Sequence, residues 1–126
     1  MLGWVMSPPA PTSAAAQVGV AAELFHGLSD PTRLSILLAL LGGERGVGEL
    51  VELVGSSQSN VSNHLACLRG CGLVVHRPGP RRQVFYSIAH RELFDVLRAS
   101  EALLDCTGRA VRLCDHPLMR DGRADG

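Results

Sequence analysis

The stretch Ser57-Gln-Ser-Asn-Val-Ser-Asn-His-Leu-Ala-Cys-Leu-Arg69 constrains this chain more than any other. Ser56 or Ser57 is suited to cap a helix, and Gly70 and Gly72 are suited to end it. At about 100° per residue, Val61, Leu65 and Leu68 share one side. Ser59, Ser62 and Asn63 point away from them, with Gln58 alongside. Such a helix lies on a core and shows hydroxyls and amides to the outside. The preceding segment, residues 47–54, has amphipathic helical spacing and is closed by Gly55. Two helices across so short a turn form a helix-turn-helix signature. Two short β-type runs follow, residues 73–77 and 83–88, with Pro78-Gly79-Pro80 turning the chain between them. This hairpin is the expected wing.

Upstream, Asp30-Pro31 reads as a helix start, with Asp as cap and Pro in the first turn. The apolar run 32–41 then predicts a central helix, stopped by Gly42-Gly43. A first helix is expected over residues 14–27 and a last one over 91–108. One domain of 126 residues has little room to bury both. They are therefore expected to form a homodimer interface, which suits two DNA half-sites. The expected fold class is mainly α with a small β-hairpin wing (α+β), a dimeric winged helix-turn-helix. Residues 1–13 read as a mobile arm, 14–108 as the DNA-binding and dimerisation domain, and 109–126 as a flexible tail carrying a candidate metal ligand.

Net charge is zero, with arginine the only strong base: 12 Arg against 12 Asp plus Glu, and no Lys. The distribution is uneven. No acidic residue lies between Glu52 and Glu92, whereas Arg69, Arg77, Arg81, Arg82 and Arg91 fall there. A local positive patch on a neutral protein fits phosphate. Gln58, Ser59, Ser62 and Asn63 are the candidates for base edges, and Arg69, Arg77, Arg81 and Arg82 for the DNA backbone. A solvated polar face is the alternative reading of both sets. No apolar run reaches the roughly 20 residues a membrane span needs, and no secretory signal is evident, so the cytoplasm is expected. There is no phosphate-cradling glycine loop and no Ser/His/Asp arrangement, so no enzyme is expected.

The four cysteines carry the remaining signal. In a reducing compartment they favour metal or redox chemistry over a disulfide framework. Cys67 and Cys71 are an i, i+4 pair, so both sulfurs lie on one helix face and can reach one ion. With Cys114 or Cys106 they would make a soft thiolate site, suited to Cd(II), Pb(II), As(III), Cu(I) or Zn(II). His64 and His116 are further candidate ligands. Cys67 and Cys71 as small half-buried hydrophobes, or Cys106 as a core residue, are the competing readings.

Leu28-Ser-Asp-Pro-Thr-Arg33, Ser57-Gln-Ser-Asn-Val-Ser-Asn-His-Leu65 and Arg82-Gln-Val-Phe-Tyr86, in this order of elements, resemble the ArsR/SmtB family of metal-sensing repressors. The likeness covers about residues 18–106. Cys67-Leu-Arg-Gly-Cys71-Gly-Leu-Val-Val75 is similar to the cadmium/lead-sensing branch. That resemblance implies a repressor that binds operator DNA in the metal-free state and leaves it when Cd(II) or Pb(II) binds. It implies Cys67, Cys71 and Cys114 as ligands, with Cys106 as an alternative or fourth. Helix 47–54 lacks the cysteine pair of the arsenic-sensing branch, and the terminal-helix site of the zinc, nickel and cobalt branch is at most partial. Two alternatives stay open: a redox or reactive-sulfur sensor with the same fold, and a thiol metal buffer or protein-interaction module that does not bind an operator.

Overall fold

Asp30 organises the first half of the chain. A residue before proline is pushed out of the helical region, and Asp30 is extended at φ −84°, ψ 129°. Helix α1 (Ala14–Ser29) stops there and α2 (Pro31–Leu41) starts there. The Asp30 carboxylate accepts the Arg33 N–H at 3.0 Å, which holds the Asp30 carboxyl below its ordinary pKa. This computed structural model describes residues 12–114 and 116–119. The expected arm lies outside the described residues except for Thr12 and Ser13, and Ser13 caps α1 by accepting the Ala16 N–H at 3.0 Å.

Helix α2 is apolar on most sides and becomes the central element, with Ile36, Leu37, Leu38, Ala39 and Leu40 all buried. Next come a two-residue strand β1 (Arg45–Gly46), helix α3 (Val47–Val54) and helix α4 (Gln58–Gly70). Gly55 closes α3 at φ 75°, a left-handed turn that suits glycine. Ser57 caps α4 through the Asn60 N–H at 3.1 Å. Leu50 from α3 and Val61, Leu65 and Leu68 from α4 complete the core under α2.

Strands β2 (Val74–Pro78) and β3 (Val84–Ile88) form the wing, paired antiparallel from Val74↔Ile88 to Pro78↔Val84. The sheet order is β1-β3-β2. Pro78 therefore sits on an edge strand, where its missing N–H breaks no ladder. The turn falls later than expected, on a 3-10 segment, Pro80–Arg82. Strand β1 had no sequence signal, because two residues are too few to show a period. It pairs with β3 at Arg45↔Tyr86 and Gly46↔Phe85.

Helix α5 (Glu92–Cys106) seats Leu93 and Leu97 in the core. Within the tail, expected to be flexible over 109–126, the described residues Leu113, Cys114, Leu118 and Met119 pack against the core margin. By contrast, α1 has just one buried residue, Gly27. Its Val18 and Phe25 are 68% and 59% exposed, and Leu103 of α5 is 67% exposed. The two helices expected at a dimer interface thus show large uncovered apolar side chains.

Candidate nucleic-acid interface and thiol pair

Burial divides α4 as its spacing predicted. Val61, Leu65 and Leu68 are buried, while Gln58, Ser59, Ser62, Asn63 and Arg69 are exposed. Asn60 is held in place by its own amide, which donates to Ser56 Oγ at 2.7 Å. Gln58 and Arg82 line one cleft between the start of α4 and the wing, together with Tyr86 and Glu49. The structure therefore brings a candidate base-reading amide and a wing-tip arginine to the same groove.

The wing arginines are not equivalent. Arg77 is held by both carboxylate oxygens of Glu44, at 2.7 and 2.8 Å, and its guanidinium lies 5.2 Å from the Phe85 ring centre. Hydrogen bonding to Arg77 keeps the Glu44 carboxyl below its ordinary pKa, and the same pairing raises that of Arg77. The acid-free sequence window did not reveal this partner, because Glu44 lies before it and is brought over by the fold. Arg77 is thus ion-paired with Glu44 at the wing base while its side chain stays exposed. Arg81 and Arg82 stand at the tip with φ of 60° and 64°, in the left-handed region that side chains rarely adopt. Gly79 is required beside them, since a Cβ there would lie 2.3 Å from the Phe85 ring.

Cys67 and Cys71 are brought together. Partial desolvation pushes the Cys71 thiol up, and the neighbouring Cys67 adds to this by its charge and a hydrogen bond. Cys71 opens onto a groove lined by Gly19, Ala22, Glu23 and His26 of α1. The other thiols lie elsewhere. Cys106 is exposed at the last residue of α5. Cys114 is half-buried, and its N–H donates to Glu101 Oε2 at 2.7 Å, beside a second bond from the Leu113 N–H. These two N–H groups draw the Glu101 carboxyl below its ordinary pKa. Burial first, and Glu101 second, push the Cys114 thiol up. Among the described residues, no three His, Cys, Asp or Glu side chains converge as a metal site requires. The recognition-helix pair offers two ligand positions, and the third thiol is not beside them.

Both histidines proposed as extra ligands have other partners. Nδ1 of His64 lies 3.4 Å from Arg33 Nη1, and its Nε2 lies 3.7 Å from Asp30 Oδ2. Nδ1 of His116 accepts the Leu118 N–H at 3.1 Å. Arg33 is a residue whose role reading side chains alone missed. It donates to the carbonyls of Gly27 and His26 at 3.0 Å each, closing the end of α1 while touching α4 through His64. The Asp30-Pro31-Thr32-Arg33 motif was the available signal.

The profile of the family described as bacterial regulatory protein, arsR family, matches residues 30–75. The HTH-type transcriptional regulator CmtR of Mycobacterium tuberculosis is 53% identical over 72 residues, covering 57% of this chain and 60% of that protein. A probable mercury resistance operon repressor from Streptomyces lividans is 38% identical over 93 residues, or 74% of each chain. Among solved structures, the homodimeric winged helix-turn-helix domain of Mb0332 from Mycobacterium bovis, a possible ArsR-family regulator, aligns with a TM-score of 0.62 at 32% identity. That alignment covers 77% of this chain and 95% of the other. The chain belongs to the ArsR family of winged helix-turn-helix transcriptional regulators. It spans 60% of the length of CmtR, so what that whole protein does is not carried over by likeness alone.

Proposed function

We propose that this chain is a cytoplasmic, homodimeric, metal-responsive repressor. It binds operator DNA when metal-free and leaves it when a soft ion, Cd(II) or Pb(II) before As(III), Zn(II) or Cu(I), is captured by cysteine thiolates. The observation that carries the reading is the placement of exposed Cys67 and Cys71 four residues apart, at the end of the helix that shows Gln58, Ser59, Ser62 and Asn63 on its exposed surface. Capture of an ion at that pair acts on the rod that reads DNA. Thiolate donors fit soft ions, and the Streptomyces relative is named for mercury, another thiophilic metal. Cys114 is the proposed third ligand and Cys106 the alternative or fourth. The uncovered apolar faces of α1 and α5 support the dimer, as does the homodimeric Mb0332 domain.

Release by metal requires that metal bind the free protein more tightly than the DNA-bound protein. Linkage makes the effect reciprocal, with a typical coupling of about 1–3 kcal/mol. A Cd(II) titration with and without operator DNA is therefore expected to show an affinity about 5- to 150-fold weaker with DNA present. Equal affinities would remove the coupling.

The tip of the wing makes a separate expectation. Left-handed backbone costs a side-chain-bearing residue about 1–2 kcal/mol. Arg82→Gly is expected to raise the melting temperature. If Arg82 meets a phosphate, it also lowers the salt slope of DNA binding by about 0.9. Parallel melting curves and binding isotherms at several salt concentrations check both.

A further inference from the structure

The docked tail meets a glycine that α2 does not need for its own backbone. Gly42 follows α2 with φ −80° and ψ −10°, a backbone conformation open to any residue. A Cβ at this position would lie 1.8 Å from the Met119 carbonyl oxygen and 2.5 Å from its carbon. What excludes a side chain at Gly42 is the tail. Arg45, only 5% exposed, fixes the same spot: its guanidinium donates to Ala39 O at 2.9 Å, Glu49 Oε2 at 2.8 Å and Met119 O at 3.0 Å. At the other end, Glu101 accepts the N–H groups of Leu113 and Cys114. Leu113, Leu118 and Met119 lie against the core between these anchors.

Seated in this way, Cys114 faces Glu101 on α5, whereas Cys71 faces α1. We propose that tail docking is a latch on metal sensing: Gly42, Arg45 and Glu101 hold the tail so that Cys114 is withheld from Cys67 and Cys71, and a third thiolate is supplied only when the tail lifts. The inference rests on the ligand set proposed above. Its quantitative form is simple. When only a fraction of molecules is competent to bind, the apparent affinity is reduced by that fraction. Loosening the latch then tightens metal binding in proportion to the open fraction.

Gly42→Ala is a direct lever, because alanine suits the backbone there and its Cβ meets the Met119 backbone first. Glu101→Ala acts at the opposite anchor and places a good helix former on α5. Peptide-resolved alkylation of Cys114 in metal-free protein reads the open fraction, and a Cd(II) titration followed by thiolate charge-transfer absorption reads affinity. Glu101→Ala, which removes a charge-assisted anchor, is expected to speed Cys114 alkylation about tenfold, and Gly42→Ala, which pushes the tail off its seat, to speed it as well. Cd(II) affinity should tighten by the same factor, and adding Cys114→Ser should erase that gain. Faster alkylation with unchanged or weaker Cd(II) binding would overturn the latch and show that the seated tail is the form that presents Cys114. Unchanged alkylation in both variants would also overturn it. Cys114→Ser that leaves Cd(II) affinity intact in the otherwise unaltered chain would instead remove Cys114 from the ligand set, and the latch with it.

Discussion

A Cys67→Ser, Cys71→Ser double variant is expected to bind operator DNA as the parent does and to ignore Cd(II). Cys67 on α4 and Cys71, which caps its end, are exposed, away from the buried stripe Val61, Leu65 and Leu68. Serine is close in size to cysteine and exposed changes of this kind cost little, within about 0.5 kcal/mol. Fold and apo DNA affinity should therefore persist. Metal binding should not, since a neutral hydroxyl is a poor donor to a soft ion. In the parent, Cd(II) should weaken operator binding by about 5- to 150-fold, and in the variant by nothing measurable. Fluorescence anisotropy of labelled operator, with and without Cd(II), is the measurement. Retained release by the double variant would move sensing away from α4. Release of the parent by peroxide or polysulfide under strict metal chelation would instead support the redox reading of the same thiols. A chain with no salt-sensitive duplex binding at all would point to the metal-buffer reading.

What could be read from the chain follows the range of each signal. Local signals gave the elements: Asp30-Pro31 for the break between α1 and α2, Ser57 for the start of α4, and the three-residue apolar stripe for its buried side. Each depends on residues within a turn or two of one another. The missed partners of the wing and the tail are distant in sequence. Glu44 reaches Arg77, 33 residues on, and Arg45 reaches Met119, 74 residues on. A charge count along the chain cannot see such pairings. The seating of residues 113–114 and 118–119 was illegible for a related reason. The tail's composition is polar, but four side chains, Leu113, Cys114, Leu118 and Met119, suffice to seat it when a buried arginine and a carboxylate bind its backbone. Gly42-Gly43 stops α2 as expected, with Gly42 as the C-cap and Gly43, at φ 143°, in a backbone that needs glycine; the approach of the tail to Gly42 had no local signal. Proximity of the two helix thiols was legible from i, i+4 spacing alone; the whereabouts of the third was not.

Two changes two positions apart on α4 are expected to separate folding from reading. Leu65 is fully buried among α2 and α3 side chains, and Asn63 is exposed on the opposite face. Leu65→Ala removes one methine and two methyl carbons from a packed site and leaves a cavity, a loss of about 2–5 kcal/mol. For a domain of this size that corresponds to a fall in melting temperature on the order of 10–20 °C, measured at fixed protein concentration because dimerisation adds to stability. DNA binding should fail in step with unfolding, for specific and nonspecific duplex alike. Asn63→Ala touches no core contact and places a better helix former in α4, so its melting temperature should hold or rise slightly. If Asn63 meets a base edge, operator affinity falls by the about 1–3 kcal/mol that a good amide–base contact contributes, with nonspecific affinity unchanged. Equal losses on operator and random duplex would make Asn63 a backbone contact. No loss on either would make its face ordinary solvated surface and move base reading to Gln58, Ser59 or Ser62.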